Sequence, residues 1–134
     1  MKFLPTESVI TDQITSINYA AYVSKSTSIL LKKIEDNIEN ERRWGTYHMS
    51  GNKSGSWFDF AIHAQKISRA IDPKSIFSES IIEPTNSKSF NQKAKRPNYS
   101  FLSSDKLKME FGIKLPNWEA VSYTHLTLPT TPYV

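Results

Sequence analysis

Four basic side chains, Lys88, Lys93, Lys95 and Arg96, crowd one polar stretch of the chain. Such a cluster can grip phosphate oxygens, and an arginine can do so through two parallel N–H donors. A solvated loop is the competing reading, and charge runs usually take it. Other chemistries are poorly provided for. His48, His63 and His125 are far apart and have no metal-ligand spacing. His48 reads as a structural residue on a strand, and His63 as a helix-surface group. The carboxylates are scattered without an acid/base pair. There is no cysteine, which excludes disulfides, thiolate metal sites and a cysteine nucleophile. The four glycines, Gly45, Gly51, Gly55 and Gly112, make neither a dinucleotide fingerprint nor a P-loop. None of the six tyrosines is followed four residues later by lysine, so a Tyr-x-x-x-Lys proton-transfer pair is missing. Taken alone, the chain carries no complete active site.

A length of 134 residues suits one domain, or half of a two-part enzyme. Apolar residues make up 38% and mean hydropathy is −0.47, enough for one modest core. A net charge of +4 suits an anionic ligand such as a nucleotide sugar and is too small to imply nucleic acid. No apolar run approaches the ~20 residues of a membrane span, and Met1-Lys2-Phe3-Leu4-Pro5 makes a poor signal peptide. Without cysteine, the composition fits a cytoplasmic protein.

The elements that must position these residues read as α+β. Val9-Ile10 forms a short strand. Tyr19, Val23, Leu30, Ile34 and Ile38 share one helical face, which predicts a helix from about residue 19 to 37, capped by Ser16 or Asn18. Thr46–Met49 reads as a strand, followed by a turn-rich loop over 50–55. Ser56-Trp57-Phe58-Asp59 is a capping box with Asp in place of Glu, and its helix runs to Ile71, where Asp72-Pro73 ends it. Ser80–Glu83 is a strand that Pro84 terminates. Residues 85–98 form a long basic loop. Ser103 or Ser104 caps a helix over Asp105–Phe111, with Gly112 at its C-terminus, and Asn117 caps a last helix. That makes three helices and the entry to a further one, three short strands and one basic loop, without internal repeats.

Several segments resemble the dTDP-4-dehydrorhamnose reductases, which are extended short-chain dehydrogenases. Asp12–Ala20 is similar to the family's D-Q-x-G-x-P-T-x-A. Trp44–Gly51 and Ser56–Ala61 are similar to W-G-x-Y-H-x-S-G and S-W-x-x-F-A. Lys95–Leu102, Lys106-Leu107, Phe111–Ile113 and Leu115–Trp118 are similar to R-P-x-x-S-x-L, K-L and F-G-x-x-L-P-x-W. Order and separation agree over roughly residues 9–119. Thr15, Ile17 and Asn18 depart from the usual Gly, Pro and Thr, of which Gly and Pro set backbone geometry.

The resemblance implies a fold: the C-terminal substrate-binding lobe of a Rossmann-type enzyme, without the Rossmann half. It also implies an activity for the whole enzyme, NADPH-dependent reduction of dTDP-4-dehydro-L-rhamnose to dTDP-L-rhamnose. On that basis Arg96 is the first candidate for the substrate diphosphate. Gln13, Asn18 and Tyr19 follow, since their segment lines the lobe interface in the family; capping and packing are the alternative. Ser100 either donates a hydrogen bond to substrate or starts a strand. Trp44, Trp57 and Trp118 read as core anchors. Mg²⁺ at a dimer contact and a homodimer are further family properties. Three functions remain open: a truncated, inactive reductase lobe; a non-catalytic binding or regulatory module, as in relatives that serve methionine adenosyltransferase; and a nucleic-acid binder resting only on charge.

The last fourteen residues, 121–134, carry no charged side chain. Residues 121–131 resemble the in-frame translation of a transposase-end sequencing adapter. That divides the chain into a partial lobe over 1–120 and a non-native tail over 121–134, with the family's final helix cut off and Met1 standing inside a longer reading frame.

Overall fold

The computed structural model describes residues 4–36, 44–90 and 94–127, the last four by backbone alone. Its elements in chain order are β1 (Thr6–Ile10), β2 (Ile14–Thr15), α1 (Ala20–Glu35), β3 (Gly55–Ser56), α2 (Trp57–Ile71), α3 (Ile76–Glu79), β4 (Ile81–Thr85), α4 (Asp105–Phe111) and α5 (Trp118–Thr127), with a 3₁₀ turn at Ser87–Ser89. The α+β class expected from the sequence is what forms.

β1 and β4 make a parallel pair, with Thr6 opposite Ile81 and Ile10 opposite Thr85. The strand predicted to stop at Pro84 runs on to Thr85. The Ile81 amide donates to the Pro5 carbonyl and the Thr11 amide to the Thr85 carbonyl, both at 2.9 Å. Odd-numbered residues of β4 therefore face β1, and the missing N–H of Pro84 falls on the outer edge, where it costs nothing. β2 and β3 pair antiparallel through Ile14–Ser56 and Thr15–Gly55, a contact no local pattern announced.

α2 starts on the predicted capping box. Ser56 Oγ accepts from the Asp59 amide at 3.0 Å, and Asp59 Oδ2 accepts from the Ser56 amide at 2.8 Å. The caps predicted for α1 are corrected. Tyr19 occupies the N-cap position without a side-chain cap bond. Asn18 Oδ1 instead accepts the Gly51 amide at 2.7 Å, and Ser16 Oγ lies 2.6 Å from Ser50 Oγ. The helix ends at Glu35 with Asp36 as its C-cap, and residue 37, the predicted end, lies outside the described residues.

Thr46–Met49 forms no strand. Side chains serve its backbone and its neighbour in place of a partner strand: Lys106 Nζ donates to the Thr46 carbonyl at 3.2 Å, and Ser104 Oγ to the Ser50 carbonyl at 2.8 Å. Ser104 does not cap α4 by its side chain; the Asp105 amide donates to Ser103 Oγ at 3.1 Å. Gly112 ends α4 at φ 66°, where any other L-residue would be strained. The short α3 was not anticipated. α5 is capped as expected, with the Ala120 amide on Asn117 Oδ1 at 2.8 Å. It does not stop near residue 120 but continues to Thr127, with Val121 buried.

The core is Leu107, Phe111, Ile113 and Leu115, against which Val23, Leu30, Ile34, Tyr47 and Met49 pack. The α1 stripe thus lies on α4, and Lys33 Nζ reaches the Phe111 carbonyl at 2.8 Å. Trp118 is the buried anchor between α2 and α5, edge-on to Phe60 and His63. Its indole N–H is buried without a hydrogen-bond partner among the described residues. Gly55 lets it approach, since a Cβ there would meet Trp118 Cζ2 at 3.1 Å. Trp57 and Trp44 are 43% and 64% exposed, so the core role predicted for them is corrected. In the capping box, Trp57 falls at the first helical position, on the turn facing solvent.

Candidate functional site

Residues 11–14 pin both feet of the basic loop. The Thr11 amide and hydroxyl both donate to the Thr85 carbonyl at 2.9 Å. Asp12 accepts the Ser87 amide on Oδ1 at 2.9 Å and the Ser87 hydroxyl on Oδ2 at 2.8 Å. At the other foot, the Ile14 amide donates to the Asn98 carbonyl and the Ser100 amide to the Ile14 carbonyl, each at 2.8 Å. These two bonds make a parallel bridge between Ile14 and Tyr99. The loop leaves and returns to the same short segment, so its closure is set by long-range bonds rather than by its own turns.

Electrostatics reinforce the first foot. The hydrogen bond from the Ser87 hydroxyl holds the Asp12 carboxyl below its usual range, with smaller help from the Ser87 amide and the Lys88 charge and some opposition from desolvation. A carboxylate accepting two donors is favoured in its charged form, so the clamp is set at neutral pH.

Two of the predicted site residues, Gln13 and Ser100, belong to the clamp itself, and Arg96 lies in the loop that it closes. Gln13 lies between the two anchors and is 7% exposed; its side chain makes no hydrogen bond to another described residue. Ser100 is exposed, with its hydroxyl 3.4 Å from the Ile14 carbonyl. Arg96 stands exposed four residues before Ser100, on the returning strand of the loop with Lys95. Lys93 lies outside the described residues. Asn18 and Tyr19 sit beyond β2, at the start of α1. Asn18 is committed to the Gly51 amide. The Tyr19 ring meets Tyr22 edge-to-face at 5.8 Å.

Two residues of the site were not picked out by sequence reasoning. Asp12 contacts Ser87 across 75 positions, and no spacing rule reaches that far. Tyr99 is 64% exposed on a backbone held by the Ile14 bridge.

Three clefts of about 390, 430 and 530 Å³ open elsewhere on the molecule. None is lined by Gln13, Asn18, Tyr19, Arg96 or Ser100. Arg96, Tyr99 and Ser100 lie on exposed surface. Among the described residues no three His, Asp or Glu side chains gather to hold a metal, and the Mg²⁺ expectation finds no support. No helix among them is long and apolar enough to cross a membrane.

The mixed helix–strand lobe with its exposed basic loop falls, by its match to known proteins, in the class of substrate-binding domains. Residues 5–127 match the family model described as the RmlD substrate binding domain. The chain belongs to that family. It is 30% identical over 112 residues to the dTDP-4-dehydrorhamnose reductase of Aggregatibacter actinomycetemcomitans, covering 83% of this chain and 36% of that protein. It is 30% identical to the namesake from Sinorhizobium fredii over 111 residues, with the same coverage. Among solved structures it is similar to the Bacillus anthracis dTDP-4-dehydrorhamnose reductase in complex with NADP, at 26% identity and a TM-score of 0.62 over 91% of this chain and 37% of that one. It shares the fold of the Clostridium acetobutylicum protein at a TM-score of 0.69 and 23% identity, over 92% of this chain and 38% of that one. The chain thus spans little more than a third of the length of the relatives it matches.

Proposed function

We propose that the chain is the substrate-holding part of an NADPH-dependent reductase that converts dTDP-4-dehydro-L-rhamnose to dTDP-L-rhamnose, in the making of nucleotide sugars for cell-surface polysaccharide. The observation that carries this reading is the loop of Arg96, clamped on residues 11–14 inside a chain that matches the substrate-binding family from residue 5 to 127. In this reading the Arg96 guanidinium takes the diphosphate, because its fork matches paired phosphate oxygens. Ser100 offers an exposed hydroxyl on the same loop, and Gln13, buried behind the clamp, with Asn18 and Tyr19 toward α1, are the more remote contacts of this reading.

The residues present do not make a dinucleotide site: no glycine fingerprint exists among Gly45, Gly51, Gly55 and Gly112. NADPH supplies hydride in the whole reductase, held by the remaining two-thirds of the protein. This chain's own work is to bind and orient the sugar nucleotide. It is inactive by itself.

The test is a titration of the purified chain with dTDP-L-rhamnose, followed by ligand-observed NMR. Saturable binding that Arg96→Ala weakens at least tenfold, at the scale of a charge-assisted contact, is expected. Absence of binding, or NADPH oxidation by this chain alone with the keto sugar, overturns the reading.

A further inference from the structure

We propose that Tyr99 is the platform on which the base of a nucleotide ligand stacks, beside the guanidinium of Arg96. The inference rests on the substrate-binding reading above and adds to it where the base goes.

Tyr99 is fixed at the backbone and open at the ring. The Ile14 amide bonds to the Asn98 carbonyl and the Ser100 amide to the Ile14 carbonyl, so the residue between them cannot swing. Yet the Tyr99 side chain is 64% exposed. In a parallel bridge the two paired residues put their side chains on the same face, and their neighbours point to the other. Tyr99 therefore shares the face of Ile14, while Gln13 projects to the opposite side, where it is buried. On the Ile14 side of the clamp, the Tyr99 ring stays open to solvent. Phe101, half-buried, meets its ring at 6.4 Å and 83°, an edge-to-face contact that steadies the ring without covering it.

Spacing links this ring to the anion site. Arg96 is three residues away, so the two Cα atoms are at most about 11 Å apart. Pro97 fixes one torsion between them. A nucleoside diphosphate can bridge that interval with its phosphates on Arg96 and its base on Tyr99. A pre-positioned aromatic loses little entropy on binding, and stacking is tolerant of base identity because every base has a π-face. Thymine and uracil nucleotides should therefore use it alike. The sugar beyond the phosphates remains free to be selected elsewhere.

The experiment titrates the full chain with dTDP, UDP and inorganic pyrophosphate by ¹H NMR, in the native sequence and in Tyr99→Ala, Tyr99→Phe and Arg96→Ala. Tyr99→Ala should weaken dTDP and UDP about 5- to 100-fold, the usual range for a lost base–aromatic stack, and leave pyrophosphate unchanged. Tyr99→Phe should keep nucleotide affinity within about twofold, since the ring carries the stack. The thymine methyl resonance should move upfield on binding to the native and Tyr99→Phe chains, and stay put with Tyr99→Ala. Arg96→Ala should weaken all three ligands. If dTDP binds and Tyr99→Ala binds it equally well, the platform is overturned and the substrate-binding reading stands. A Tyr99→Ala chain that loses pyrophosphate as well reduces Tyr99 to a structural role and also overturns the platform. If the native chain binds none of the three, both readings fall.

Discussion

Leu107→Ala should be a clearly damaging truncation in the described core. Leu107 is fully buried, and it sits with Phe111, Ile113 and Leu115 where α4 meets the α1 stripe. Removing its branched end deletes apolar surface that water never reaches in the native chain, and it leaves a cavity. Leu→Ala changes at such sites cost about 3–5 kcal/mol when the walls cannot relax. Here they can relax partly, because Val23, Leu30, Ile34, Tyr47 and Met49 pack on the cluster while staying only partly buried. The expected loss is therefore at the low end, about 2–3 kcal/mol. With a urea slope of roughly 1–3 kcal/mol per molar for a small domain, the midpoint should fall by about 0.7–3 M. Urea unfolding followed by circular dichroism measures it, with Leu107→Met as the volume-matched control, expected to cost less than about 1.5 kcal/mol. A Leu107→Ala midpoint within about 0.3 M of the native chain, at unchanged slope, would mean that the α1–α4 contact is not the core, and the packing described above would be refuted.

Asp12 gives a pH prediction. Its folded pKa is depressed chiefly by the Ser87 hydroxyl, so its contribution is present above the ordinary carboxylate pKa and is lost as pH falls through the folded value. The foot of the loop at Ser87 should hold at neutral pH and open below about pH 4; amide exchange at Ser87 should accelerate there in the native chain, and Asp12→Asn should remove the pH dependence. Gly55→Ala should cost about 1–3 kcal/mol, because the new methyl meets Trp118 at 3.1 Å and that indole is buried; a melting temperature equal to the native one would contradict the contact. Ser56→Ala should cost about 1 kcal/mol through loss of the α2 cap, with Ser56→Thr, which keeps the hydroxyl, retaining most of it in the same thermal melt.

The sequence by itself determined what short-range physics controls. The Ser56–Asp59 box, the Asp72-Pro73 stop, the left-handed Gly112 and the Asn117 cap are each written within four residues, and each formed as read. The apolar spacing of Val23, Leu30 and Ile34 likewise announced the face of α1 that meets the core. Motif order placed the chain in its family before any coordinate was known. Tertiary structure decided the rest. Asn18 has the side chain of a helix cap, but the Gly51 amide 33 positions away takes it. Thr46–Met49 has the composition of a strand, but a strand needs a neighbour, and within this chain side chains of α4 and its cap serve its carbonyls instead. Pro84 could be judged a strand breaker from sequence; only the register showed that its absent N–H faces outward. The clamp on the basic loop joins Asp12 to Ser87 and Ile14 to Asn98 and Ser100, contacts spanning 75 to 86 positions. Nothing local encodes such pairs, because they depend on how the helices bring two distant segments alongside each other. That same arrangement fixes the backbone at both feet of a stretch that the sequence alone reads as a solvated basic loop.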